Sequence, residues 1–329
     1  MVLKAPAQLG ASFFLTRCFS GFRYNGYLCY DPVMDSLATE RRLKYLQRLH
    51  DSGSPLIMGT INLTDDSFYA SSRSADTETV LKKVRQMEAE GADLIDLGAE
   101  STRPGSLPVD ELDEACRIKQ AVKSIREISQ ITLSIDTRHA SVAACALEEG
   151  ADVINDISGF RDDPQLSKLV ASKSCPVIIM HMQGNPHSMQ NAPYYSDVFS
   201  EVRDFLLERV QVLISMGVPR QGIVIDPGLG FGKSVEHNTV LLSRLQEFAD
   251  TGYPVLLGHS RKTWIGKIVA CSDLVPPPEQ RLFGTVALSA IAAQAGVRIL
   301  RVHDVGPNRD AASIGHALRK QSQVVGGLR

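Results

Sequence analysis

The 329-residue sequence lacks several features that would assign it to a function class at once. Its six cysteines form no C-x-x-C pair and lie far apart, at positions 18, 29, 116, 145, 175 and 271. This spacing favours reduced thiols in a cytoplasmic protein over a disulfide framework. Positive and negative charges nearly cancel, at 35 Lys and Arg against 37 Asp and Glu. The charge balance therefore gives no reason to expect a nucleic acid or a membrane surface as a partner.

Long hydrophobic runs and flexible linkers are also missing. The longest uncharged stretch, 282–297, is too short to span a bilayer and contains Gln294. We expect no membrane span, and we interpret this stretch as a buried or interface helix, which suggests a homodimer. No linker rich in Gly, Ser or Pro interrupts the chain beyond residue 52. We therefore predict an N-terminal extension of uncertain order, 1–52, and a single domain, 53–329.

Three interpretations of the extension stay open. Its first thirty residues contain Lys4, Arg17 and Arg23 but no acidic residue before Asp31, a composition found in some organellar transit peptides. The same segment is rich in Phe, Tyr and Gly and has poor helical periodicity. It is a bacterial extension or a misassigned start, with Met34 as the alternative initiator, or a targeting segment, or an ordered appendage.

From residue 55 onward, short apolar runs alternate with longer amphipathic stretches, the pattern of parallel strands with crossover helices. The predicted strands are 56–62, 93–98, 132–136, 152–156, 176–182, 222–227, 254–260 and 298–303. Apolar residues recur at helical spacing over 77–90 and 198–216. Glycines at 91, 150, 217 and 296 follow helical stretches, as expected of residues that end helices. Eight such units in one chain predict an α/β fold of the (β/α)₈ TIM barrel type.

Polar residues stand at the end of every predicted strand. One such residue alone is usually a helix cap or a structural histidine, but eight that converge on the carboxyl rim of a barrel indicate a site. In strand order they are Asn62, Glu100 to Arg103, Asp136, Asn155, His181, Asp226, Ser260 with Lys262, and Arg301 with His303.

These residues divide into two chemistries. Asp136, Asn155 and Asp226 are hydrogen-bond acceptors suited to a flat heterocycle with several N–H groups in a row. Arg103, Arg301 and His303 are basic and suit an anion, and Asn62 supplies an oxygen that suits Mg²⁺. The set predicts a fused heterocycle that carries a phosphorylated group.

Other catalytic classes are disfavoured by missing motifs. The sequence has no H-E-x-x-H, G-x-S-x-G or G-x-x-x-x-G-K-[ST], which argues against zinc hydrolysis, serine hydrolysis and P-loop phosphotransfer. The glycine-rich segment 226–233 has the wrong spacing for a dinucleotide loop. We interpret it as a loop whose backbone approaches a ligand closely.

Eight ordered motifs, spread over residues 55 to 310, resemble those of the dihydropteroate synthase family. They are MGTINLTDDSF (58–68), ESTRPGS (100–106), SIDT (134–137), INDISG (154–159), MHMQGNP (180–186), DPGLGFGK (226–233), GHSRK (258–262) and RVHDV (301–305). The resemblance implies condensation of 4-aminobenzoate with (7,8-dihydropterin-6-yl)methyl diphosphate, which gives 7,8-dihydropteroate and diphosphate in folate synthesis. It also implies a TIM barrel, a transferase that uses Mg²⁺, and a homodimer.

The resemblance assigns each matching residue a role. For the pterin it implies a pocket of Asp136, Asn155, Asp226 and Lys262, with Met180 and Gly258 as flat walls. For the diphosphate it implies Asn62, Arg103, Arg301 and His303, with Mg²⁺ held at Asn62. For 4-aminobenzoate it implies Phe68, Thr102, Pro104, Phe231 and Ser260. The residues expected to carry catalysis are Asp136, Asp226, Lys262, Arg301 and His303.

The first loop departs from the family pattern. Where the family usually reads T-P-D-S-F-S-D-G-G, residues 64–72 read TDDSFYASS, so a proline, an acid and a glycine pair are replaced. Three alternatives to this function stay open. The first is a corrinoid-type methyltransferase barrel, which shares the Asp, Asn and Asp pterin residues. The second is a paralogue that binds a pterin or phosphate ligand without turnover, which only the altered loop supports, and the third is a barrel of another phosphate chemistry, which would leave the pterin acceptors unexplained. The first needs no diphosphate site, so the GHSRK and RVHDV motifs argue against it.

Overall fold

The computed structural model describes residues 36–63, 73–100, 109–184, 189–271 and 274–326. Its centre is a sheet of eight parallel strands, each near a predicted position. The strands are β1 Leu56–Asn62, β2 Leu94–Gly98, β3 Thr132–Asp136, β4 Val153–Asp156, β5 Val177–Met180, β6 Ile223–Asp226, β7 Leu256–Gly258 and β8 Ile299–Val302.

The sheet closes into a barrel. Strand order is β6-β5-β4-β3-β2-β1-β8-β7, so β1 pairs with both β2 and β8. The two ends of this order meet at a bridge between Ile225 and Val255, where Ile225 N–H donates to Pro254 O at 3.0 Å. The predicted (β/α)₈ barrel is confirmed.

Helices surround the barrel, and the two predicted over 77–90 and 198–216 are present. Gly91 and Gly296 have φ of +92° and +93° and follow helices, as predicted, because glycine adopts this left-handed conformation without strain. The helices of the described residues are α1 Ser36–His50, α2 Arg73–Ala89, α3 Glu111–Arg126, α4 Ala140–Glu148, α5 Pro164–Ser172, α6 Val198–Ser215, α7 Val235–Ser243, α8 Leu245–Ala249, α9 Thr263–Val269, α10 Leu282–Ala295 and α11 Val305–Gly326.

Alternation along each strand separates two layers of the core. On β2, Ile95 and Leu97 face outward and belong to the large apolar cluster between strands and helices. Leu94 faces inward, into an apolar layer at the amino end of the barrel. Two residues further along, the same inward face carries Asp96. Strands β4, β6 and β8 repeat this change, from Val153 to Asn155, from Val224 to Asp226 and from Ile299 to Arg301, so the site lies directly above an apolar floor.

Helix α1 closes the amino end of the barrel. Tyr45 and Leu49 are buried in the inward apolar layer. On the same helix, Arg41 Nε donates to the buried carboxylate of Asp152 at 3.0 Å. The compact unit begins at Asp35, so α1 belongs to it and not to an extension that reaches residue 52. Hydropathy does not predict that α1 is part of the domain, because the helix buries arginines. Buried arginines are stable only when they pair with other polar groups.

None of the helices in the described part of the chain is both long enough and apolar enough to cross a membrane. The uncharged stretch that begins at Leu282 forms α10, whose Thr285, Ser289, Ala292 and Ala293 are buried.

Candidate active site at the carboxyl ends of the strands

Strand register places the predicted pterin residues side by side. Asp136 at the end of β3 pairs with Asn155 on β4, and Met180 on β5 pairs with Asp226 on β6. These pairs share the inward face because side chains in register on parallel strands point the same way. The acceptors that the sequence assigned to one ligand therefore lie on one rim.

Arg301 crosses the barrel between two carboxylates. Its Nε donates to Asp96 Oδ2 at 2.6 Å, and its Nη2 donates to Asp136 Oδ2 at 2.9 Å. Burial raises the pKa of Asp136 to about 7, against the lowering effect of Arg301 and with a further rise from Asp96. The same carboxylates outweigh burial at Arg301 and raise its pKa. The site thus holds a permanent cation beside the carboxylate of Asp136, whose pKa lies near neutrality.

Asp96 is a site residue that the sequence analysis missed. It is fully buried in β2, and its Oδ2 also accepts a hydrogen bond from Asn155 Nδ2 at 3.2 Å. The sequence did indicate that Asp96 faces inward, because it lies between Leu94 and Gly98 on the same face of the strand. A charged residue at an inward position is unusual and requires a partner.

The loop after β6 carries Asp226 and approaches β5 closely. Asp226 Oδ1 accepts from Gly228 N–H at 2.7 Å, and Gly228 has φ of +65°. A Cβ at Gly228 would lie 2.0 Å from the carbonyl oxygen of His181, so only glycine fits there. Burial raises the pKa of Asp226, while the Gly228 N–H and Lys262 lower it. This agrees with the sequence-based interpretation that backbone passes unusually close in this loop.

Lys262 lies between Asp226 and an aromatic ring. Its Nζ donates to Leu229 O and lies 4.1 Å from the ring centroid of Phe231. Burial lowers the pKa of Lys262 to about 7, although Asp226 acts in the opposite direction. The ammonium group is therefore a donor whose charge depends on pH close to neutrality.

Lys233 is a second residue that the sequence analysis missed. It is buried, and its Nζ contacts His181 Nδ1 at 2.9 Å, Gly228 O at 3.0 Å and Phe231 O at 3.0 Å. Burial, then the charge of Lys233, lowers the pKa of His181 to about 2, so that imidazole is neutral and can accept. Lys233 thereby fixes the loop that carries Phe231. His181 is a structural partner here, one of the alternatives that its strand-end position left open.

An apolar cluster lies beside the residues predicted to bind the pterin. Met180, predicted as a flat wall, clusters with Ile157, Met182 and Met189, and Phe231 packs against them. On β7, a Cβ at Gly258 would lie 3.7 Å from Asp226 Oδ2 and 4.0 Å from Arg301 Cδ. A glycine at this position leaves a flat surface beside the charged groups, which suits a planar ring.

Two residues predicted to bind anionic groups, Ser260 and His303, join the loops after β7 and β8. Ser260 Oγ accepts from the backbone N–H of His303 at 3.2 Å and lies 2.9 Å from His303 Nδ1. Arg261, at φ of +57°, forms two hydrogen bonds to Asp304, at 2.9 and 2.6 Å, which tie the two loops together. His303 is exposed at this rim.

Asn62 lies at the exposed end of β1, in register with Gly98. Among the described residues, no group of three or more His, Cys, Asp or Glu could hold a metal ion. A single amide oxygen does fit Mg²⁺ when phosphate oxygens and waters complete the coordination. The predicted residues Phe68, Thr102, Arg103 and Pro104 lie outside the described residues.

Comparisons with known proteins agree with this geometry. A sequence model described as pterin binding enzyme matches residues 58–303. Dihydropteroate synthase of Haemophilus influenzae is 41% identical over 267 residues, which cover 81% of this chain and 95% of that protein. The chain belongs to the dihydropteroate synthase family. Its function is therefore that of a pterin-binding transferase in folate biosynthesis.

Two solved structures of dihydropteroate synthase from Xanthomonas albilineans are similar to this barrel. The structure with 4-aminobenzoic acid has a TM-score of 0.74 at 38% identity, and covers 82% of this chain and 94% of that chain. The complex with 7,8-dihydropteroate has a TM-score of 0.71 at 34% identity, with the same coverage. The predicted fold and family are confirmed over this region.

Proposed function

We propose that the polar layer above the apolar floor carries out the family reaction in this chain, with each residue in the role given below. The pterin diphosphate binds first to the acceptors Asp136, Asn155 and Asp226. A carboxylate that accepts two N–H groups from an amino-amidine edge forms a strong, directional pair. Lys262, held between Asp226 and Phe231, donates to the heterocycle.

Departure of the diphosphate leaves positive charge on the pterin methylene group. The buried carboxylates Asp136 and Asp226 stabilise that charge from the ring side, and they are preorganised because backbone and Arg301 already orient them. Arg301 and His303 stabilise the leaving anion. Mg²⁺ held at Asn62 with the phosphate oxygens would supply further positive charge to the leaving group.

The amine of 4-aminobenzoate then attacks the methylene carbon, so no protein nucleophile is needed. Ser260 and the start of α9 offer donors for its carboxylate, because free N–H groups at a helix start favour an anion. Phe231 forms the wall against which its ring packs. The contribution of the protein at this step is to hold the amine in line with the departing oxygen.

One observation carries this assignment: Asp136, Asn155, Asp226, Lys262 and Arg301 meet on a single rim, as the family motifs require. The test is an assay of purified protein with Mg²⁺, 4-aminobenzoate and the pterin diphosphate. We expect release of diphosphate and formation of 7,8-dihydropteroate. Pterin binding without turnover would support the silent paralogue, and methyl transfer from a methylated folate to a corrinoid would support the methyltransferase.

We also infer a homodimer that uses α10 and α11. Phe283 and Ile291 lie two turns apart on the exposed face of α10, at 85% and 51% exposure, and Ile314 and Leu318 form a similar pair on α11. Large apolar side chains exposed on two neighbouring helices favour a protein interface there. Light scattering should give a dimer mass for the wild type and a monomer mass for Phe283→Glu. A monomeric wild type at micromolar concentration would contradict the inference.

A cytoplasmic location is the remaining proposal. Cys116, Cys145, Cys175 and Cys271 are all free thiols, which fits a reducing compartment. Fractionation of cells that produce the full chain would test it, with activity expected in the soluble cytoplasmic fraction.

A further inference from the structure

Asp96 lies beneath the pterin acceptors and contacts two of the residues that bind substrate in the proposed function. It accepts from Arg301 Nε and from Asn155 Nδ2 through the same oxygen, Oδ2. Its register neighbours are Thr60 on β1 and Ser134 on β3. Asp96 therefore touches the proposed anion side and the pterin side while it is itself fully buried.

The hydrogen bonding of Asp96 is incomplete. Its Oδ1, and the neighbouring Oγ of Ser134, have no hydrogen-bond partner within the described residues. A buried carboxylate oxygen without a partner costs folding free energy. Asp152, at the other end of the barrel, is equally buried, yet both of its oxygens accept hydrogen bonds. Stability alone thus gives a poor account of a carboxylate at position 96.

The guanidinium group of Arg301 contacts two carboxylates that have different roles. Asp136 Oδ2, which Arg301 Nη2 contacts at 2.9 Å, is also needed to accept an N–H group of the pterin. Asp96 holds the other side of the guanidinium at 2.6 Å and, being buried below the rim, has no such competing ligand. If Asp96 lost its charge, the remaining direct ion pair of Arg301 would be the one with Asp136.

We propose that Asp96 is a positioning residue that anchors Arg301, so that Asp136 is free for the pterin and Arg301 is directed to the diphosphate. The inference rests on the proposed function and deepens it. It assigns Asp96 no contact with the reacting atoms. Replacement of Asp96 should therefore change the affinity and turnover of pterin diphosphate, and it should do so only while Arg301 is present.

The first test compares Asp96→Asn with the matched control Asp152→Asn. Both substitutions replace a fully buried, arginine-paired carboxylate by an amide of the same size. We expect Asp96→Asn to raise KM for the pterin diphosphate about tenfold and to lower kcat, with KM for 4-aminobenzoate changed by less than about twofold. Asp152→Asn should lower the thermal midpoint and leave the kinetic constants unchanged. Wild-type-like kinetics for Asp96→Asn would overturn the proposal.

The second test is a double-mutant cycle with Arg301→Lys, which keeps the charge but loses the guanidinium fork. If Asp96 acts through Arg301, Asp96→Asn should cost less than about twofold in the Lys background, because the anchored group is already gone. A full, multiplicative loss in that background would show that Asp96 acts directly on the pterin and would also overturn the proposal. Asp96→Ser provides a smaller neutral variant should the Asn protein not fold.

The outcome can be separated from failure of the proposed function. Titration calorimetry of each variant with pterin diphosphate measures affinity without turnover, and we expect about a tenfold weaker affinity for Asp96→Asn. An inactive wild type that binds pterin diphosphate would overturn the proposed reaction and leave this anchoring role open to the same comparison of affinities. An active wild type with unchanged affinity in Asp96→Asn would overturn the anchoring role alone.

Discussion

The two ends of the barrel each bury an aspartate beside arginine, but they satisfy it to different degrees. At the amino end, Asp152 accepts from Arg41, from Arg126 at 2.7 Å and from Leu133 N–H at 2.9 Å. At the carboxyl end, Asp96 leaves one oxygen without a partner in the described part of the chain. Complete pairing indicates a cluster kept for folding, whereas incomplete pairing above the apolar floor indicates a carboxylate kept for the site at some cost in stability.

The largest effect should come from the carboxyl end. Asp226→Asn is expected to lower kcat/KM for the pterin diphosphate by about a hundredfold or more, because a preorganised charge opposite the pterin cation is lost. The fold should survive, since burial already disfavours the ionised carboxylate and an amide removes that penalty. Steady-state kinetics and a thermal melt measure the two quantities. Unchanged activity would remove Asp226 from the pterin site.

The amino end should show the reverse behaviour. Asp152→Ala leaves Arg41 and Arg126 buried without their counter-charge, which should lower the free energy of unfolding by about 3 kcal/mol. Urea denaturation measures this loss. Turnover of the folded variant, assayed well below its melting temperature, should equal that of the wild type. A fall in kcat would mean that the two ends are not independent.

The pH dependence of the carboxyl end should be bell-shaped. Asp136, whose burial raises its pKa to about 7, accepts N–H groups through both oxygens only when ionised, so kcat/KM should rise as pH increases through this value. Lys262, whose burial lowers its pKa to about 7, donates as an ammonium, so activity should fall as pH rises further. The low-pH limb should be absent from the residual activity of Asp136→Asn. A profile with the same limb in that variant would assign it to another group or to the substrate.

The smallest effect is expected at the rim. Ser260→Ala removes the hydroxyl that contacts His303 and should raise KM for 4-aminobenzoate about fivefold, the value of one or two neutral hydrogen bonds. Ser243→Ala, at an exposed position of α7, is the control and should change nothing. Equal KM values for both variants would exclude Ser260 from the aminobenzoate side.

Strand positions were predictable because each strand is a short apolar run bounded by glycine or polar residues. The strand-end residues followed from topology, since parallel strands in a barrel bring their carboxyl ends together. Asp136, Asn155 and Asp226 could thus be placed on one rim before any coordinates were known.

The missed residues share a different property, because their roles depend on partners far away in the chain. Asp96 contacts Arg301, 205 positions away, so the strand pattern could indicate that Asp96 faces inward but not which residue pairs with it. In the sequence, Lys233 is the last residue of a glycine-rich motif, and nothing near it predicts that it is buried in contact with His181. Helix α1 is similar, since the partners of the buried Arg41, Asp152 among them, lie about a hundred positions away in the chain.

The closure of the amino end by α1 leaves the barrel with a single face open to ligands. Tyr45 and Leu49 pack against the inward apolar layer of the strands, so the lower half of the barrel is solid core. In the proposed site, both substrates would therefore arrive, and both products depart, at the carboxyl rim.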